Sequence, residues 1–316
     1  MGLNIVFCRT PDFADTNLRY LIEHKCHISA VVTMPDRKQG RGQHIKFSPV
    51  KQTALDHNIP VFQPLKATDE DFLDELRKIK PDLVIAVAYG KILRRKFIDI
   101  PKFGCVNLHA SLLPKYRGAS PIHYALMNGD KETGVTTFII DEGMDTGDII
   151  FENRVPIDNE DTLGTLHDKL ARVGAITLLK TIESIEAGKV FAYPQGDGKT
   201  VITGKINSKI ATIDWGCDAE KIHNLVRAMN PVPGAKTTIK LGDKTKSIKI
   251  LKTKVSDNKT GQAGGCVISV NKNNFTVACG TKAVKVLEVK LEGKSAMPSG
   301  EFLRGHPIEK KLLFGI

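Results

Sequence analysis

The sequence predicts an α/β chain: a doubly wound, mostly parallel sheet followed by a smaller C-terminal domain built of strands. Three observations carry that expectation. Short apolar runs at 5–8, 28–33, 61–62, 83–88 and 105–109 alternate with helix-like segments at 13–24, 49–57 and 69–78, the rhythm of βαβ units. Past residue 205 the rhythm gives way to strand-like runs near 236–241, 247–255, 266–270, 274–279 and 283–291, with turn residues between them. A short, basic, all-β domain of this kind suggests an OB-like β-barrel. Charge changes at the same place: residues 1–205 hold 27 Lys and Arg against 26 Asp and Glu, whereas residues 206–316 hold 19 against 9.

Taken in order, the first apolar strand leads into Phe7-Cys8-Arg9-Thr10-Pro11-Asp12-Phe13-Ala14. With no G-x-G-x-x-G there, a dinucleotide is disfavoured. Residues 34–46 read as a basic, Gly-punctuated loop that cannot build core. The 69–78 helix starts acidic and ends basic, which suits the helix dipole. The run Cys105–His109 is a buried strand that must stop before Pro114. Side chains two apart share a face, so Asn107 and His109 point the same way at the strand's carboxyl end, where open α/β sheets bind ligands. A β-rich run from Val135 to Ile140 then delivers Asp141-Glu142-Gly143-Met144-Asp145-Thr146-Gly147 to the same rim. Amide, imidazole and carboxylate together can hold an oxyanion and move a proton. Taken alone, an Asn-x-His pair is more often structural than catalytic.

Residues 149–157 read as one or two strands and 161–188 as a long amphipathic helix with Gly188 as C-cap. The Gly-, Pro- and Lys-containing stretch 190–205 reads as a linker, giving a catalytic domain over 1–189 and a second domain over 206–316. Within the latter, Ile210–Trp215 reads as a strand, Asp218 as the cap of a helix to Met229, and Asn230-Pro-Val-Pro-Gly-Ala235 as a double break.

At 316 residues the chain can bury two cores. No apolar run approaches the roughly 20 residues of a membrane span, and the N-terminus passes straight into a strand, so no membrane, no leader and a cytoplasmic monomer are expected. The six cysteines are scattered without C-x-x-C, and the nine histidines form no H-x-x-x-H pair; reduced thiols and no metal follow. The basic C-terminal third suggests a polyanion, most simply nucleic acid.

The words around the strand are more specific. Asn107-Leu-His-Ala-Ser-Leu-Leu-Pro-Lys-Tyr-Arg-Gly118, Gly134-Val135 and Asp141-x-Gly-x-Asp145-Thr-Gly147 closely resemble the folate-dependent formyltransferases. Within that superfamily they resemble the branch acting on charged initiator tRNA. The resemblance implies a Rossmann-like formyltransferase domain, 10-formyltetrahydrofolate as co-substrate, and Asn107, His109 and Asp145 as catalytic residues. Asn107 and His109 would donate to the tetrahedral oxyanion; Asp145 would orient His109 and, through water, help carry the amine's proton to N10. It implies folate contacts from Ser111, Leu112, Leu113 and Pro114, and from Tyr89, Gly90 and Ile92 in Ala88-Tyr-Gly-Lys-Ile-Leu93. In the 34–46 loop, Arg41 between Gly40 and Gly42 matches the position the family uses to enter the tRNA acceptor arm, and Arg37 and Lys38 join it as tRNA contacts. Arg227-x-x-Asn230-Pro-x-Pro-Gly-Ala235 resembles the family's C-terminal domain and adds Arg227. The chain departs from the family at Arg9, usually Gly, at Arg94, usually Pro, and at Gln43 and His44, where basic residues commonly stand.

A small-amine enzyme such as glycinamide ribonucleotide formyltransferase would use the same three catalytic residue types. It would need neither the basic domain nor the Arg41 loop. A non-catalytic RNA-binding protein would need none of the three.

Overall fold

The computed structural model describes all residues except 1, 10–12, 40–43, 88–92, 197, 199, 258–260 and 316. In chain order the first elements are β1 (Ile5–Arg9), α1 (Phe13–Glu23), β2 (Ile28–Thr33), β3 (Arg37–Gln39), β4 (His44–Lys46), α2 (Pro49–Asp56), β5 (Val61–Phe62), α3 (Glu70–Ile79) and β6 (Leu83–Val87). Then come α4 (Arg95–Ile98), β7 (Cys105–His109), β8 (Arg117–Gly118), α5 (Pro121–Met127), β9 (Glu132–Ile139), β10 (Ile149–Pro156), α6 (Leu163–Glu186) and β11 (Ile202–Thr203). The last are α7 (Ala219–Ala228), β12 (Ala235–Leu241), β13 (Lys244–Ser256), β14 (Val267–Val270), β15 (Phe275–Ala278), β16 (Ala283–Leu291), β17 (Met297–Pro298) and α8 (Ser299–Gly305).

Two compact units result. One comprises Met1–Pro121, Glu132–Pro156 and His167–Thr203; the other Ile122–Lys131, Ile157–Leu166 and Gly204–Ile316. The first holds a sheet in the order β10-β9-β7-β6-β1-β2-β5. β5, β2, β1, β6 and β7 are parallel, while β9 is antiparallel to β7 and β10 antiparallel to β9. From β1 the chain winds outward through β2 to β5, then returns to the other side of β1 as β6 and β7. Such a reversal opens a crevice at the carboxyl ends of the strands, and β7 delivers His109 to that edge. β6 is buried along its length, as a doubly covered parallel strand must be. Val6, Cys8, Val84, Ala86 and Cys105 pack against Leu73, Leu76 and Phe97 on one face. The helix α6 ends in a Schellman arrangement, with Gly188 at φ +64°, Lys189 N donating to Ser184 O at 2.9 Å and Gly188 N to Ile185 O at 3.0 Å. Among the described residues no helix is long and apolar enough to cross a membrane.

The second unit holds a curled antiparallel sheet in the order β12-β13-β16-β15-β14, with β17 on β16. Its two edges meet the C-terminal segment: Phe314 bridges Ile239 of β12, and Leu313 bridges Cys266 just before β14. Trp215 lies within this curl, its ring nitrogen donating to Thr237 Oγ1 at 2.9 Å and its ring 5.8 Å from that of Phe314.

Two local expectations are corrected. Residues 210–215 do not form a strand. Asn207 accepts from Ile210 N through its side chain (2.9 Å) and from Ala211 N through its carbonyl (3.1 Å), curling the chain into a turn from which Thr212 alone bridges, to Lys236. Asp218 does stand at the N-terminus of α7 but makes no side-chain cap bond, because its carboxylate accepts from Thr281 Oγ1 at 2.8 Å instead. The basic loop also carries more order than composition foretold: β3 and β4 pair as a short antiparallel hairpin.

Candidate active site

β7 is hydrogen-bonded on both sides, Asn107 lying opposite Ala86 of β6 and Phe138 of β9, and His109 opposite Thr136. The backbone ladder therefore fixes both residues. Asn107 is the one half-exposed residue of a strand otherwise buried. His109, 6% exposed, places Nε2 2.8 Å from Tyr116 O. A carbonyl can only accept, so Nε2 carries the proton. That leaves Nδ1, which lies 3.6 Å from Asp145 Oδ2. The gap is too long for a hydrogen bond but short enough for charge to act across it. Nδ1 is the ring atom left to exchange a proton, and it donates only when the ring is charged.

Asp145 arrives on the 140–148 connection between β9 and β10. Two features shape this loop. Asp141 accepts from Gly143 N at 3.0 Å and from Thr146 Oγ1 at 2.8 Å, so the first acid of the motif frames the loop while the second faces the site. Gly147 has no room for a side chain, since a Cβ would sit 1.7 Å from Ile139 O. Asp145 itself adopts φ +55°, which costs a non-glycine residue about 1–2 kcal/mol. Its carboxylate accepts from Gly118 N at 2.7 Å through the same Oδ2 that faces His109.

The turn after β7 is held from within. Ser111 Oγ donates to Lys115 O at 2.6 Å, Thr136 Oγ1 donates to Ser111 O at 2.7 Å, and Leu113 N donates to Thr136 Oγ1 at 3.2 Å. Ser111 is fully buried and Leu113 packs on Phe138 and Ile149. Of the expected folate contacts here, Leu112 and Pro114 are half-exposed. Tyr89, Gly90 and Ile92 lie outside the described residues, as does Arg41. Arg37 and Lys38 lie on β3, paired with Lys46 and Ile45. Arg227, expected among the tRNA contacts, is corrected to an internal role. It is 6% exposed and its guanidinium donates to Asn224 Oδ1, Asp158 O and Asp161 O.

Sequence reasoning missed three groups. Thr136 ties the Ser111–Leu113 turn to β9. Asp36, Lys51 and Gln63 bond to one another beside the β3–β4 hairpin, and the Lys51 ammonium holds the Asp36 carboxyl below the usual carboxylate range. Gln195 bonds to the backbone of the Asp145 loop. Threonines and glutamines in strands and loops are too common to single out by pattern. Among the described residues no cluster of three or more His, Cys, Asp or Glu is placed to hold a metal ion.

Comparison with known proteins identifies the family. The formyl transferase family profile matches residues 3–182, and the profile of the formyl transferase C-terminal domain matches 205–307. The chain is 41% identical over 313 residues to a methionyl-tRNA formyltransferase of Clostridioides difficile, covering 99% of this chain and all of the relative. To the methionyl-tRNA formyltransferase of Halothermothrix orenii it is 45% identical over 315 residues, covering 98% of each. Among solved structures, an N-formyltransferase from Helicobacter canadensis in complex with folinic acid and dTDP-3-aminofucose shares the fold at TM-score 0.66 and 21% identity, over 90% of this chain and 99% of that one. HypX from Aquifex aeolicus in complex with tetrahydrofolic acid does so at 0.63 and 19%, over all of this chain and 51% of that one. By the identity and extent of these matches, the chain belongs to the methionyl-tRNA formyltransferase family.

Proposed function

We propose that Asn107, His109 and Asp145 carry out formyl transfer from 10-formyltetrahydrofolate to the α-amino group of methionine on charged initiator tRNA. The chain is a formyltransferase of translation initiation with folate as co-substrate, and the small-amine and non-catalytic readings are not favoured. The observation that supports the residue assignment is the convergence of Asn107 with the His109–Asp145 pair, Nδ1 to Oδ2 3.6 Å, at the carboxyl edge of β7. The free amine attacks the formyl carbon, a C–N bond forms, and the oxygen becomes an oxyanion. Asn107 donates its amide hydrogen to that oxygen. His109 stabilises the developing charge through Nδ1 once that atom is protonated, and Asp145 compensates the charged ring. The C–N10 bond then breaks, and the proton lost by the amine ends on N10. No covalent enzyme intermediate is required, because the amine is already the nucleophile.

The second unit is read as an OB-like barrel and as the tRNA-backbone surface. Supporting the first is the bonding of both sheet edges to Leu313 and Phe314. Supporting the second is a row of lysines across three strands: Lys236, whose ammonium donates to Ser208 Oγ, opposes Lys249, whose ammonium donates to Pro233 O, and Lys249 in turn opposes Lys290. Like charges directly opposite one another destabilise a sheet, and a polyanion relieves that repulsion. Arg37, Lys38 and Arg41 are assigned to the acceptor arm, and the enzyme is taken to act as a cytoplasmic monomer, where its charged tRNA resides. Incubating the protein with 10-formyltetrahydrofolate and either charged initiator tRNA or glycinamide ribonucleotide tests the substrate: formylated aminoacyl ester is expected, and formylation of the ribonucleotide alone would overturn it.

A further inference from the structure

We propose that Gln195 is a positioning residue for the transfer, the clamp that holds Asp145 in front of His109. The proposal rests on the reading that Asp145 and His109 act in catalysis. Gln195 lies in the stretch that composition marks as linker, yet its place is set by strand register. Tyr193 and Ile149 exchange backbone hydrogen bonds of 2.8 and 3.0 Å across an antiparallel bridge. In antiparallel register, moving two residues forward on one segment moves two back on the other, so Gln195 comes to lie beside Gly147. Further on, Ile202 and Thr203 pair in parallel with Arg117 and Gly118. The 193–203 segment thus bonds at one end to the start of β10 and at the other to the segment whose Gly118 N holds the Asp145 carboxylate.

The Gln195 side chain spans the gap between these two segments. Its Nε2 donates to Asp145 O and to Gly147 O, both at 2.8 Å. Its Oε1 accepts from Arg117 Nε at 3.0 Å and Nη2 at 2.6 Å. The orientation of the amide is dictated by its partners: carbonyls only accept and a guanidinium only donates. The charged guanidinium polarises the amide and strengthens its donation to the loop. Asp145 needs such support, because it stands at φ +55° on a loop whose residues 141–144, 146 and 148 are exposed, and the His109 gap leaves little tolerance. Asn would be one methylene too short to reach both sides. Glu would keep the Arg117 partner but turn an oxygen toward two carbonyls.

The test compares Gln195→Met, Gln195→Glu, Asp145→Asn and the Gln195→Met/Asp145→Asn double variant, with folding monitored by thermal unfolding. Gln195→Met is expected to lower kcat roughly 10- to 100-fold, the scale of a misplacement of about 1 Å, with KM for folate and tRNA changed less than about threefold. Gln195→Glu should show the same split, and it retains the size and the Arg117 bond if Gln195→Met folds poorly. In the Asp145→Asn background, Gln195→Met should add less than about threefold, since both act through one group. Wild-type kcat in folded Gln195→Met or Gln195→Glu would overturn the proposal, and so would losses that multiply in the double variant. Wild-type kcat in Asp145→Asn would instead remove the catalytic reading on which the proposal stands.

Discussion

The rim of the first unit and the sheet of the second use charge in opposite ways. Residues 1–205 are nearly balanced, and the charge that matters at the rim is fixed singly: the Asp145 carboxylate by Gly118 N and its backbone carbonyl by the Gln195 side chain, and the His109 ring by Tyr116 O. Residues 206–316 carry a net of +10, spread over neighbouring strands where lysines oppose lysines. Proton transfer and oxyanion stabilisation depend on tenths of an ångström, whereas attraction to a phosphate backbone depends mainly on how many cations face it. Disturbed geometry in the first unit should therefore be catastrophic for turnover, and removal of charge from the second should have a graded effect.

The sharpest contrast is between two small edits within the first unit. Gly147→Ala forces a Cβ to within 1.7 Å of Ile139 O, so the Asp145 loop must move; turnover should fall about 10²-fold while folate still binds. Val106→Ala on β7, at 1% exposure, should cost about 1–3 kcal/mol of stability but leave turnover within several-fold, because the backbone ladder still holds Asn107 and His109. Steady-state kinetics and urea unfolding distinguish them. Equal reductions in turnover would erase the distinction between geometry held by a ladder and geometry held by side chains.

Partly buried imidazoles give the second unit a separate sensitivity. Burial pulls the His123 pKa down to about 4, and burial followed by the charge of Arg227 lowers that of His223. The unfolded chain takes up a proton at His123 below about pH 6.5, whereas the folded chain refuses it until about pH 4. Stability is accordingly lost as pH falls through that window, by about 2 kcal/mol for His123 after allowing for partial exposure. Urea unfolding at pH 7 and pH 4.5 should show the drop in the wild type and a smaller one in His123→Gln. An unchanged drop would place the acid sensitivity elsewhere.

The smallest effects belong to single lysines. Lys249→Gln and Lys290→Gln should each weaken tRNA binding only a few-fold. Removing one cation from the phosphate backbone should make the slope of log affinity against log salt shallower by about 0.7–0.9. Slopes that do not change would make the lysine row a solvated surface and remove the charge comparison.

How much of this was legible in the sequence depends on what carries the signal. Strands β1, β2, β6 and β7 were readable because apolar runs between helices have a clear rhythm, and β7 carried Asn107 and His109 with it. The family resemblance picked Asp145 out of a loop with three further acids, and the structure explains the choice: Asp141 bonds within the loop, whereas Asp145 faces His109. The 210–215 stretch misled because Ile210-Ala-Thr-Ile-Asp-Trp215 has strand composition, while the side chain of Asn207 imposes a turn. Arg227 misled because its charge is visible in sequence and its burial is not. Gln195 could not be read at all, since its position follows from a bridge between residues 44 apart, Ile149 and Tyr193.

The most direct test of the central assignment is single-turnover formylation of charged initiator tRNA by Asn107→Ala and Asp145→Ala, with 10-formyltetrahydrofolate saturating and its binding titrated in parallel. If these groups stabilise charge and move a proton only during transfer, each rate constant should fall roughly 10²–10³-fold, about 3–4 kcal/mol, while folate affinity stays within about twofold. A near-wild-type rate constant in either folded variant would contradict the assignment.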